Sequence, residues 1–120
     1  MRERQAVDYL NDIQRAASNA RLFTEGMDSD TFAKDPLTQH AVAFCHVAIA
    51  ALASRLLDTH PEFATEHPDL PWTAMREMGD RIAHDFFQLH PQDIWDATQR
   101  VLPELLLQID AVHHWRAQGE

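Results

Sequence analysis

The stretch from Asp35 to Leu57, DPLTQHAVAFCHVAIAALASRLL, decides the fold. Asp35 followed by Pro36 is a helix start: the carboxylate can accept from the unpaired amides of the first turn, and proline there gives up an N–H that has no acceptor within the helix. No glycine or further proline interrupts the run as far as Leu57, and from Ala41 onward apolar residues stand on nearly every face. A helix of that kind is expected to be buried on every face, at the centre of a bundle. The run is somewhat short for a membrane span, contains His46 and sits in a chain that is polar elsewhere, so a transmembrane reading is rejected. Neighbouring helices in a bundle cover only part of a helix circumference. The remaining apolar face predicts a second copy of the chain as its cover, and the many alanines allow helices to approach closely.

Working outward, the segment from Arg2 to Phe23 carries Ala6, Leu10, Ile13, Ala17 and Ala20 at helical spacing, with Arg2, Arg4 and Arg15 on its solvent side. Gly26 ends it, and Asp28, Ser29 and Asp30 suit a turn and the cap of a short helix around Thr31 to Ala33. On the other side, THPEFATEHPDLP at Thr59 to Pro71 carries three prolines and two histidines and reads as an irregular connection. His60 and His67 each precede proline, which disfavours helical dihedrals. A third helix is expected from about Trp72 to Phe87, and Pro91 starts a fourth with Ile94, Ala97, Val101, Leu105, Ile109 and Val112 on one stripe. Pro103 lies inside that fourth helix and predicts a kink near Gln99 to Leu102. The expectation is an all-α, antiparallel four-helix bundle, residues 1–120 forming a single domain.

Composition limits what such a bundle can do. A chain of 120 residues can bury a core without disulfide or metal, and a single cysteine, Cys45, rules out an internal disulfide and suits a reducing cytoplasm. The N-terminal residues MRERQAVDYLNDIQR lack the apolar core of a signal peptide, so secretion is not expected. Cys45 and His46 are adjacent and point about 100° apart on a helix, which makes a shared metal ion unfavourable; they read as an inert buried thiol and a satisfied core histidine. His60 and His67 lack the cysteine or second histidine of a zinc site. No metal or other cofactor is expected. A net charge of −9 argues against a general nucleic-acid binder, leaving an RNA enzyme only where a few arginines converge in one cleft.

Chemistry concentrates in one place, MREMGDRIAHDFFQL at Met75 to Leu89. Asp80 and Arg81 lie four and three residues before His84, so a carboxylate, a guanidinium and an imidazole share a helix face. Arginine forks onto phosphate oxygens and histidine titrates near neutral pH, so the group can bind a phosphate and move a proton. Asp80 is placed to hold the imidazole and raise its pKa. An ordinary amphipathic helix with a solvated polar face would carry similar residues.

From Leu70 onward, LPWTAMREMGDRIAHDFFQLHPQDIWDATQRVLPELLLQID resembles the C-terminal half of the HepT-like proteins of the HEPN superfamily. The family pattern of Pro-Trp, then Arg-x4-His-x-Tyr closing a helix, then an aromatic-led helix containing Leu-Pro, is met by Pro71 and Trp72, His84, Ile94 and Trp95, and Leu102 and Pro103. YLNDI at Tyr9 to Ile13 and DPLTQHAV at Asp35 to Val42 extend the resemblance over nearly the whole chain. Two positions depart from it: Gly79 stands in place of the motif arginine and Phe86 in place of the tyrosine. Val47 and Ala51 also occupy places where glutamates are often found.

The resemblance implies a small RNase, the toxin of a two-gene pair whose antitoxin is an MntA-like minimal nucleotidyltransferase. It further implies a homodimer that brings two His84 motifs together and RNA cleavage without metal. His84 would serve as general acid or base, Arg81 or Arg76 would neutralise charge on the phosphate, and Asp80 would orient the imidazole. In the family the partner places AMP on the motif tyrosine, which Phe86 cannot accept; Tyr9 is the one tyrosine in the chain. Restoring arginine at 79 and tyrosine at 86 is expected to raise activity if the arginine fits. Membrane and DNA are not expected as partners. The alternative is a catalytically degenerate binding subunit for the nucleotidyltransferase, and a plain helical adaptor is a third reading.

Overall fold

The computed structural model describes residues 4–117, which are helical almost throughout. Helix α1 spans Ala6–Phe23, α2 Ser29–Ala33, α3 Pro36–Thr59, α4 Pro61–Glu66, α5 Trp72–Asp85, α6 Pro91–Asp96 and α7 Leu102–Ala117. The first helix therefore begins inside the expected span, and Arg2 lies outside the described residues. Helix α3 is the axis, with α1 and α5 packed along it, while α6 and α7 form one continuous rod that closes the bundle. The core runs through Leu10 and Ile13 of α1, Val42, Ile49 and Leu56 of α3, Met75 and Ile82 of α5, and Ile94, Leu102, Leu105 and Ile109 of the rod.

The caps are the ones the side chains dictate. Asp28 accepts from the Thr31 amide at 2.8 Å, and Asp35 accepts from the Thr38 amide at 3.1 Å and its hydroxyl at 2.7 Å. These bonds favour the ionised carboxylates and hold both below the usual aspartate range. Gly26, at φ 80°, supplies the left-handed residue that turns the chain after α1.

The segment expected to be irregular contains a short helix, α4. His60 and His67 flank it with φ near −138° and −129° and ψ near 63° and 64°, outside the helical region that a following proline disfavours, while Pro61 sets φ for the first turn. Phe63 anchors it by burial, and its ring meets that of His67 at 4.5 Å, tilted by 47°, while His67 meets Trp115 of α7 at 5.1 Å. The third helix stops two residues short of expectation: Asp85, at φ −161° and ψ 63°, starts a separate 3-10 turn at Phe86–Gln88.

The bend expected from Pro103 takes the form of a π-helical turn, Ala97–Val101. Proline has no N–H to offer Gln99 and its ring would crowd that carbonyl, so one extra residue is looped into the rod before it. The extra residue rotates the apolar stripe. Thr98 and Leu102 enter the core and Val101 is only half-buried.

Helix α3 is not buried on every face within one chain. Its length and apolarity would suffice to cross a membrane, yet one side is core. The opposite side leaves Leu37 81% and Phe44 72% exposed, with Ala41, Ala48 and Ala51 on the same stripe.

Candidate functional site

Helix α5 owes its two faces to spacing. Met75, Met78, Gly79 and Ile82 recur at three and four residues and point to the core. Asp80 and His84 each lie two residues from an inner position, about 200° around the helix, and so face outward. There Asp80, Arg81, His84, Asp85, Gln88 and Leu89 line an open groove of about 460 Å³. Three of the four expected site residues, His84, Arg81 and Asp80, are thus brought together. Arg76 is exposed on the same helix but does not line the groove; eight residues of helix place it about 12 Å from His84 along the axis.

The electrostatics of the groove are balanced toward acid. Arg81 is its one permanently cationic lining residue, and the guanidinium faces Asp93 of α6 at 3.4 Å, with both side chains about two-fifths exposed (44% and 42%). Asp80 and Asp85 add two carboxylates beside His84. Among the described residues no hydrogen bond joins Asp80 to His84; the polar contact of the groove runs from Arg81 to Asp93. An open imidazole beside a guanidinium can exchange protons with a bound phosphodiester and partly neutralise it. The surrounding carboxylates oppose that charge.

Gly79 holds no chemistry and much structure. A Cβ built there would overlap the carbonyl oxygen of His46 and the Cβ of Ala50, so α5 crosses α3 at this glycine in backbone contact. An arginine at 79 does not fit, and the expected restoration of the family motif at this position is ruled out by packing. The inner stripe of Met75, Met78 and Ile82 already implied that position 79 faces inward.

At the same crossing, His46 is buried and its Nε2 lies 2.9 Å from the Thr98 hydroxyl. That hydroxyl donates to the Ile94 carbonyl at 2.8 Å, so it accepts from His46, whose proton sits on Nε2. Burial pushes this imidazole down to about 4. His46 is the satisfied core histidine expected of it, and Cys45 beside it is buried, its thiol pushed up by desolvation.

Phe86 is half-buried, its ring meeting His40 of α3 edge-on at 4.8 Å. Phe87 follows it and is 84% exposed. Neither His40 nor Phe87 was singled out by sequence reasoning; apolar residues past a helix end carry no periodic signal. Tyr9 is only 7% exposed, and the Arg4 guanidinium lies 4.3 Å from its ring centroid.

Comparison with known proteins gives the family. Residues 13–112 match the family model HepT-like, described as ribonuclease HepT-like. A Thermococcus cleftensis protein named "Probable ribonuclease HepT" is 31% identical over 98 residues, covering 82% of this chain and 86% of that protein. A Methanocaldococcus jannaschii protein named "Putative RNase" is 28% identical over 104 residues, covering 87% of this chain and 84% of that one. No solved structure matches the chain.

Proposed function

Because the chain belongs to the HepT-like family of the HEPN superfamily, we propose that it is a single-domain, cytoplasmic RNA endonuclease, the toxin of a toxin–antitoxin pair, with its chemistry centred on His84. The observation that carries this reading is the outward groove of α5, where His84 and Arg81 stand one turn apart in the open. A ribose 2′-hydroxyl would attack the adjacent phosphorus, forming the new P–O bond as the 5′-oxygen leaves. His84 would take the proton of the attacking hydroxyl or return one to the leaving oxygen, and Arg81 would stabilise the charge that builds on the phosphoryl oxygens. All of this is assigned to side chains, with no metal.

One chain offers one such imidazole in the groove, and the two proton transfers are best served by two. The exposed stripe of Leu37, Ala41, Phe44 and Ala48 supports a homodimer that buries this face of α3. Light scattering should report a dimer at micromolar concentration, and Phe44→Arg should give a folded monomer. A monomeric natural chain sinks the dimer. As for control by a minimal nucleotidyltransferase, Phe86 has no hydroxyl and Tyr9 is buried beneath Arg4. Inhibition by binding alone is therefore proposed, and intact mass should be unchanged after incubation with partner and ATP.

The decisive experiment is cleavage of a labelled RNA by the natural chain and His84→Ala. Loss of an acid–base group costs roughly a hundredfold or more; cleavage unaffected by His84→Ala overturns the mechanism. A second reading, a catalytically degenerate subunit that binds the nucleotidyltransferase, is favoured by a specific observation. The place of the motif arginine is closed by the Gly79 crossing, and Arg81 is shared with Asp93. Inert RNA assays together with tight partner binding would select it.

A further inference from the structure

If the groove cleaves RNA, something other than charge must hold the RNA there. The chain carries a net charge of −9. Arg81 is opposed by Asp93, and Asp80 and Asp85 border the same groove. Phosphate attraction, the usual source of affinity for nucleic acid, is nearly cancelled at this site. Stacking of a base on an aromatic ring does not depend on charge and accepts any base.

An exposed ring follows closely in the chain, although it does not itself line the groove. Phe87 falls between Asp85 and Gln88, both of which line the groove, and three residues after His84. It is 84% exposed. The ring is nevertheless held: Phe86 meets it at 5.1 Å and 67°, and His40 at 6.1 Å and 60°. Both contacts are tilted and neither neighbour stacks flat on it, and at 84% exposure the ring keeps surface open to a flat partner. His40 is itself fixed, since its Nδ1 lies 2.7 Å from the Pro36 carbonyl, an acceptor, and must donate the proton. Three rings from α3 and the turn after α5 thus support one another, the outermost of them three residues along the chain from the candidate catalytic histidine.

We infer that Phe87, braced by Phe86 and His40, is a stacking platform for an unpaired base of single-stranded RNA next to the phosphate at His84. The inference rests on the ribonuclease reading of the groove and adds a residue that holds the base, which must be unpaired to present its face to the ring. Phe87 is on this account a specificity-determining residue and takes no part in proton transfer.

The test uses the full chain with His84→Ala, so that bound RNA stays intact, and a single-stranded RNA octamer carrying 2-aminopurine at successive positions. Binding should change the fluorescence at one position, through stacking. Adding Phe87→Ala should weaken binding roughly tenfold or more and abolish that change, while Phe87→Trp should keep both. The slope of log affinity against log salt should be shallower than about −1.5, the equivalent of two phosphates. Circular dichroism on each variant confirms the fold. Unchanged binding by Phe87→Ala overturns the inference, as does a steep salt slope. So does a Phe87→Ala chain that loses its dimer in light scattering, which would give the ring to a protein interface. Cleavage that needs His84 but ignores Phe87 sinks this inference alone; a natural chain that neither binds nor cleaves RNA sinks the ribonuclease reading with it.

Discussion

The two faces of α5 share one backbone and obey opposite rules. The inner face is settled by contact: Gly79 lies against the α3 backbone, Met75, Met78 and Ile82 are buried, and His46 across the crossing has its hydrogen bond to Thr98. The outer face carries the reactive groups, Asp80, Arg81, His84 and Asp85, with solvent as their main neighbour and one long ion pair to Asp93. At Gly79 even one methyl group has nowhere to go, so identity there is dictated by space. On the outer side residues are interchangeable for folding, and their identity has to be explained by what they meet. The departure from the family motif at Gly79 falls on the inner face and the candidate chemistry on the outer, so the glycine and the close lie of α5 on α3 go together.

The most severe way to break the comparison is to treat an inner position as an outer one. Gly79→Arg must push α5 off α3 at the crossing, and the expected cost exceeds about 5 kcal/mol, enough to unfold a domain of ordinary stability. Gly79→Ala should cost about 1–3 kcal/mol as an overpacked site. Thermal unfolding by circular dichroism measures both. A folded Gly79→Arg chain with a near-natural Tm would show that the crossing is loose and that the groove could recruit an arginine there after all.

A second prediction sharpens the inner face through pH. His46 is neutral in the folded chain down to about pH 4, whereas an unfolded histidine takes a proton near 6.5. Between those values the unfolded state binds more protons, so stability is full above about pH 6.5 and falls as pH drops toward 4. The loss approaches about 3 kcal/mol at the low end. Urea midpoints at pH 7.0, 5.5 and 4.5 should decline in the natural chain and decline less in His46→Gln. Equal declines would mean that the imidazole is reached by water and that the crossing opens.

Features legible in the sequence are those whose causes are local. The caps at Asp28 and Asp35 and the turn at Gly26 rest on neighbouring residues and stand as read, while the ends of α1 and α5 each fall a few residues inside the expected spans. Pro103 announced a distortion at the right place, but its form as a π turn, and hence the rotation that buries Thr98 and Leu102, depends on the helices across the core. Helix α4 was hidden because three prolines in the segment signal a loop, whereas the burial of its anchor, Phe63, appears only in the fold. For the groove, spacing alone joined Asp80 and Arg81 to His84, because one helix carries all three. The same spacing was silent on Asp93, which meets Arg81 only through the fold, and on His40 beneath Phe86. Gly79 was readable as an inner position, yet nothing local distinguishes a glycine under a helix crossing from one that merely lacks a side chain.

The smallest expected effect concerns the outer face and decides whether Arg81 serves the groove or only the fold. Its contact with Asp93 is long and exposed on both sides, so the pair is worth at most about 1 kcal/mol. Removing the opposing charge with Asp93→Asn should leave thermal stability within about 0.5 kcal/mol of the natural chain, as for most surface changes. If Arg81 contacts the phosphate in the transition state, the freed guanidinium should raise RNA cleavage by up to roughly fivefold, the rate equivalent of that 1 kcal/mol. The gain should vanish when Arg81→Ala is added, since a double-mutant cycle then leaves Asp93 nothing to release. Single-turnover cleavage by the four proteins of the cycle gives the answer. A rate that Asp93→Asn leaves unchanged or lowers, in a chain whose cleavage still requires His84, would assign Arg81 to joining α5 with α6 and leave His84 to work without a neighbouring cation.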